Sequence, residues 1–297
     1  MDPVNLKTTI HVTNELGECV LWDDRNDIVL WTDILARRLY QHDPTAGSTG
    51  FVEFDEELCA FAFVQDSDDL LCAFRSGFGF IDRDGGNRRW LHRIDHTDVV
   101  RLNDGRVDRH GRFWCGSMMD TEDHKPIGEV SGELFRVDPD GTVSKHLDGI
   151  GIPNSLCWSP DGSTMYFADT PKKEICAFDF DGKNGELSGQ RVFARTPDAA
   201  GPDGSTVDAE GFLWNAEWGQ GRVVRYAPDG AVDLVVQLPV SHISCVAFGG
   251  HELSDLYVTT ARSGLSQEQL AAEPQAGDVF VFTTAFRGLA ENRFRRD

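Results

Sequence analysis

Glu18, Asn103, Asn154 and Asp203 occupy one place in a recurring pattern. Each stands four residues ahead of an apolar residue that closes a short hydrophobic run: Trp22, Val107, Trp158 and Val207. Two further runs of the same kind close at Phe63 and Phe248, and the equivalent positions there are Cys59 and Ser244. Asn, Asp and Glu are poor strand formers, and burying such groups without partners costs about 2–7 kcal/mol each. A shared cation removes that cost. Glu18 and Asp203 supply negative charge, Asn154 and Asn103 offer amide oxygens, and water completes an oxygen shell for one divalent ion: calcium, zinc, manganese or iron. A position left to water is what a catalytic metal site needs. One N-D-G or P-D-G alone is an ordinary tight turn. Recurrence at one register, joined by a glutamate, points instead to a ring of ligands.

The elements that position these residues are repeats. The anchors Trp22, Phe63, Val107, Trp158, Val207 and Phe248 are spaced by 41, 44, 51, 49 and 41 residues, the size of a four-stranded propeller blade. Each repeat carries a short apolar strand, a D-x-x-G-type turn or its equivalent, and an aromatic-rich strand. Third strands such as GELFRVDPDG and GRVVRYAPDG follow, and their Asp-Gly pairs mark hairpins. The fold class expected is all-β, a six-bladed propeller with four-stranded blades around a central channel, formed by residues 1–297 as one domain. The first strand of each blade lines the channel, so equivalent positions form a ring. Residues 8–13 are expected to complete the last blade beside residues 279–284. Nothing longer than residues 266–274 reads as helix. Asp23, Asp24, Asp108, Asp161 and Asp208 read as turn formers, and Asp104 as pointing away from the channel or bonding backbone.

Composition narrows the partners. With 28 basic and 49 acidic residues the net charge is −21, which argues against nucleic acid and anionic lipid, both of which need a basic footprint. No apolar stretch is long enough for a membrane helix, and the N-terminus lacks the apolar core of a secretory signal, so the expected location is cytoplasmic. The seven cysteines form no C-x-x-C pair and indicate neither a disulfide framework nor structural zinc. No G-x-S-x-G elbow, H-E-x-x-H pair or Walker loop is present. The oligomeric state is not legible in the sequence.

LGECVLW (16–22), RLNDGRVD (101–108), GRFWCGSM (111–118), IPNSLCWSPDG (152–162) and PDGSTVDAEGFLW (202–214) together resemble the gluconolactonase, regucalcin (senescence marker protein) and luciferin-regenerating enzyme family over roughly residues 14–285. TTARSGLS (259–266) is most similar to bacterial sugar lactonases of that family. The resemblance implies metal ligands at Glu18, Asn154 and Asp203, substrate binding by Arg101 and Asn103, and a loop acidic residue near substrate at Glu122. Two positions depart from the family pattern. Cys19-Val20 stands where Gly-Pro usually follows the first ligand, and Ser155 where a glycine usually follows Asn154. Ser155 must therefore accept the backbone geometry a glycine allows, although serine tolerates positive φ less well. Cys19 is expected to pack within its blade.

The reaction implied is hydrolysis of a sugar lactone. The metal polarises the carbonyl and water attacks it, with Asp203 as ligand and general base, Glu18 as the charge-neutralising ligand, and Arg101 and Asn103 on the sugar hydroxyls or ring ester. His242 is placed to reach the channel mouth and Trp218 to wall the sugar. Other readings of the same pattern are an esterase or phosphotriesterase on the same metal, and a non-catalytic calcium-binding or interaction propeller.

Overall fold

Short alternating apolar runs punctuated by Asp-Gly turns have one way to bury both faces, which is to stack as radial sheets. A computed structural model describes residues 3–297, and in it the chain folds as six four-stranded antiparallel sheets in a ring. Blade 1 comprises Gly17–Asp23, Ile28–Asp33, Arg38–Asp43 and Ser48–Glu53. The inner strands of blades 2 to 6 are Leu58–Phe63, Val100–Val107, Pro153–Trp158, Gly201–Val207 and Ile243–Gly249. Each inner strand packs against those of the two neighbouring blades, the sixth against the first. Helix is confined to a turn of 3₁₀ at Thr170–Lys172 and to Gln267–Ala272, capped by Ser266.

The ring is closed by chain ends. Val4–Ile10 forms the outer strand of blade 6, pairing antiparallel with Val279–Thr284 from Val4 opposite Thr284 to Ile10 opposite Val279. The closing strand thus has the expected partner but begins four residues earlier than the expected 8–13 and ends at Ile10. Residues 11–13 leave the sheet because Asp278 captures them: its carboxylate accepts from the Val12 amide at 3.1 Å and binds the His11 ring at 2.7 Å.

All six inner strands are fully buried or nearly so, and each carries a register irregularity at the same place. Pairing with the second strand is interrupted between Glu18 and Leu21, Leu58 and Ala60, Leu102 and Gly105, Asn154 and Cys157, Pro202 and Ser205, and Ile243 and Cys245. A bulge re-aims the side chains around it and leaves backbone groups unpaired. The positions singled out by the repeat, 18, 59, 103, 154, 203 and 244, all lie on these bulges.

The turns after the inner strands are built by buried aspartates. Asp108 accepts from the amides of His110 and Arg112 and, through its other oxygen, from Trp114 Nε1 at 3.0 Å. Asp208 repeats the arrangement with Glu210, Phe212 and Trp214. At this far end the C-terminal segment crosses the ring from blade 6 toward blades 2 and 3. The Gly288 amide donates to Leu253, Asn292 donates to the Val107 carbonyl, and Phe294 is fully buried with its amide on the Phe63 carbonyl.

Removing residues 1–10 uncovers the edge of Val279–Thr284, and an unpaired apolar edge both destabilises the ring and templates association. The truncated chain is expected to melt well below the full-length protein and to aggregate in size-exclusion chromatography. An unchanged melting temperature contradicts the role assigned to this strand.

Candidate active site at the channel axis

Glu18, Asn103, Asn154 and Asp203 all converge at the near end of the channel, each on the bulge of its inner strand and each almost fully buried. Glu18 and Asp203 face each other closely enough to share a hydrogen bond. Asp203 Oδ1 is buried and no donor among the described residues reaches it. Burial raises the Glu18 carboxyl from 4.5 to about 8, with the nearby Asp104 charge adding to the effect. Burial and then Glu18 and Asp104 push Asp203 upward too. Asp104 does bond backbone, accepting from the Leu156 amide at 2.9 Å, yet its charge still bears on the axis, and burial raises it to about 6. Two carboxyls thus meet within the field of a third, and protons or a cation must balance them.

The amides are oriented by a hydrogen-bond chain. Arg101 Nη1 donates to Asn103 Oδ1 at 2.8 Å, and Asn103 Nδ2 donates to the Pro153 carbonyl at 3.0 Å and to Asn154 Oδ1 at 3.3 Å. Asn154 Nδ2 donates to Thr170 Oγ1, which in turn donates to the Pro202 carbonyl, both at 2.8 Å. With its nitrogen held by Thr170, Asn154 keeps its oxygen on the axial side. The backbone of Asp203 is held as well: its carbonyl accepts from Ser155 Oγ at 2.6 Å and from Asn215 Nδ2 at 2.9 Å. Ser155 has φ 64° and Cys19 has φ 46°, so the residue after each of Glu18 and Asn154 is left-handed where glycine is the unstrained choice. Cys19 packs in the apolar core between blades 1 and 2, its Sγ 3.7 Å from the Phe61 carbonyl.

The donor set suits a divalent cation: two carboxylates, one with an orphaned oxygen, and one amide oxygen. Among the described residues no cluster of three His, Cys, Asp or Glu side chains is arranged as a metal site. The set reaches three only by counting the Asn154 amide.

Arg101 is buried beside this group, with its Nε 3.8 Å from Asp120. Asp120 also pairs with Arg75 at 2.6 Å, and Arg75 with Glu57 at 3.3 Å. Glu122 lies apart. It is exposed, and no hydrogen bond or ion pair among the described residues ties it to Arg101 or Asn103. The acidic residue of this segment that reaches Arg101 is Asp120, two positions earlier. It directly follows the strand Phe113–Met119, whereas Glu122 lies further into the loop. Thr170, Ser205 and Asn215 also escaped the sequence reading, since each reaches the axis from outside the inner-strand register or behind it.

The match to known proteins agrees with this geometry. Residues 16–262 match the model of the SMP-30/Gluconolactonase/LRE-like region. The chain belongs to this family. It is 36% identical to the 6-deoxy-6-sulfogluconolactonase of Pseudomonas putida, over 97% of this chain and 98% of that one. It is 40% identical to the L-arabinolactonase of Azospirillum brasilense, over 95% of this chain and 92% of that one. Among solved structures, a calcium-binding regucalcin from Agrobacterium tumefaciens superposes with a TM-score of 0.90 at 32% identity, covering 98% of both chains. A luciferin-regenerating enzyme superposes at 0.89 with 25% identity, covering 97% of this chain and 99% of that one. Among the described residues, no helix is long and apolar enough to cross a membrane.

The raised carboxyls give a pH signature. Folded Glu18 holds its proton to about 8, while the unfolded chain releases it near 4.5. Raising pH through that window ionises the unfolded chain first and draws the equilibrium toward unfolding. Chelator-treated protein should therefore lose thermal stability between about pH 5 and 8, and a divalent cation should restore it at pH 8 by binding the ionised folded state. Equal melting temperatures at both pH values in chelator would contradict the arrangement.

Proposed function

We propose that the chain hydrolyses a sugar lactone to the sugar acid at the channel axis, with one divalent cation held by Glu18, Asn154 and Asp203. The observation that carries this reading is the buried Glu18–Asp203 pair, uncompensated by a basic group yet flanked by an oriented amide and a buried arginine. A structural role would be better served by apolar residues at those positions. The named lactonase relatives at 36–40% identity over nearly the whole chain support the substrate class.

When bound, the cation polarises the lactone carbonyl and balances the carboxylates. The residues do the rest. Arg101 and Asn103, already joined to each other, hold the substrate's ester or hydroxyl oxygens. Asp203 takes a proton from water as its oxygen bonds to the carbonyl carbon. It returns that proton to the ring oxygen as the acyl–oxygen bond breaks, leaving a free hydroxyl and the acid, whose own proton goes to solvent. Glu18 stays ionised and keeps the site's charge matched. Ser155 and Asn215, by gripping the Asp203 carbonyl, limit how far its side chain can swing.

Asp203→Ala is expected to lower kcat/KM on aldonolactones at least about a thousandfold, the range lost with a general base, while the circular dichroism spectrum stays native. Activity within tenfold of wild type would remove Asp203 from the mechanism. Arg101→Met is expected to raise KM about tenfold, since a buried fork of donors to substrate oxygen is lost. Initial-rate titration after subtracting spontaneous opening measures both.

A further inference from the structure

The ring of axial residues has a second tier. Two positions ahead of Glu18, Cys59, Asn103, Asn154, Asp203 and Ser244 stand Leu16, Glu57, Arg101, Ile152, Gly201 and His242. Arg101 belongs to blade 3 and His242 to blade 6, and in a ring of six these are opposite one another. The two polar side chains therefore enter the channel mouth from opposite walls, one tier outside the axial carboxyls. On the Arg101 side the wall is charged, built by Arg101, Asp120, Arg75 and Glu57. The His242 side has a different chemistry.

His242 is half-buried and lies flat on the Trp218 indole, with ring centroids 4.1 Å apart and planes 20° from parallel. The two residues are also joined through a backbone bridge between blades 5 and 6. Trp218 pairs with Gly201, the second-tier position of blade 5. That glycine leaves room for the Thr170 methyl, 2.6 Å from where a Cβ would stand. His242 Nδ1 lies 2.9 Å from the Ser263 carbonyl, so this nitrogen carries the hydrogen. Burial lowers the ring's pKa and favours its neutral form. Nε2 is then an acceptor, and among the described residues it has no hydrogen-bond partner.

We propose that His242 and Trp218 form the subsite for the hydroxyl-bearing part of the lactone that lies away from Arg101. Trp218 offers an apolar face to sugar C–H groups, and His242 Nε2 accepts a hydrogen bond from a sugar hydroxyl. The proposal rests on the lactone reading above and adds to it the residues that set selectivity among lactones. A wall with a lone-pair acceptor and a flat aromatic surface favours a polyhydroxylated ring over an unsubstituted one of the same size.

The test compares kcat/KM for an aldonolactone with that for the unsubstituted lactone of equal ring size. Wild type, His242→Phe, His242→Gln and Trp218→Leu are assayed with calcium or manganese present, after thermal melts confirm folding. The ratio is expected to fall about five- to tenfold in His242→Phe, the worth of one substrate hydrogen bond. The fall should come mainly through the aldonolactone KM. His242→Gln, whose amide oxygen can reach the place of Nε2, is expected to recover part of the ratio, and Trp218→Leu to lower it. A ratio within twofold of wild type in both His242→Phe and Trp218→Leu overturns the subsite. So does an equal loss of kcat on both substrates, which marks a structural role. If wild type opens no lactone with any cation, the lactone reading itself falls and takes the subsite with it, a result visible without any variant.

Discussion

Two carboxyls face each other at the bottom of a buried channel mouth with no basic group between them. Glu18 and Asp203 repel when ionised, and burial makes the repulsion costly, so their pKa values rise unless positive charge arrives. The Arg101 charge offsets part of this at Glu18, but burial and the Asp104 charge outweigh it and the carboxyl stays raised. The surrounding groups are arranged around this imbalance. Thr170 holds the Asn154 amide nitrogen while its oxygen accepts from Asn103, and Ser155 and Asn215 fix the Asp203 backbone. The ring accommodates the stress because each ligand sits on a strand clamped between two neighbours.

The bulges are the device that makes this possible. A regular antiparallel strand would satisfy every carbonyl within its own blade. At or just ahead of each break, carbonyls accept from the next blade. Ser155 of blade 4 donates to the Asp203 carbonyl of blade 5, Asn103 of blade 3 to the Pro153 carbonyl of blade 4, and Ser244 of blade 6 to the Gly17 carbonyl of blade 1. The strands that carry the axial side chains are thus tied blade to blade at the same places. Ser155 shows the consequence at a position where the family pattern has glycine. The backbone keeps the left-handed φ of 64°, and the hydroxyl gained in exchange ties two ligand-bearing strands together.

The two ends of the channel are built differently. The near end gathers acidic, amide and guanidinium groups below a mouth lined by Arg101, His242 and Trp218. At the far end Arg106 pairs with Glu291 through both guanidinium arms, and the C-terminal segment lies across the ring with Phe294 in the core.

The blades were legible in the sequence because strand alternation and turn chemistry are local, and six copies at similar spacing reinforce one another. Glu18, Asn103, Asn154 and Asp203 were legible for the same reason, being out-of-place polar residues at one offset from an apolar anchor. Three things were not local and only the tertiary structure decided them. The closing strand ended at Ile10 rather than residue 13, because Asp278, more than 260 residues away, draws off residues 11–13. Asp120, just past the strand Phe113–Met119, came to lie 3.8 Å from Arg101, a contact that no repeat signals. Glu291 met Arg106, 185 residues away, only when the C-terminal segment crossed the far end of the ring, whereas Thr170 and Asn215 reach Asn154 and Asp203 from within the same blades. Sequence fixes what repeats; contacts made once, between blades or between a blade and a chain end, are set by ring closure alone.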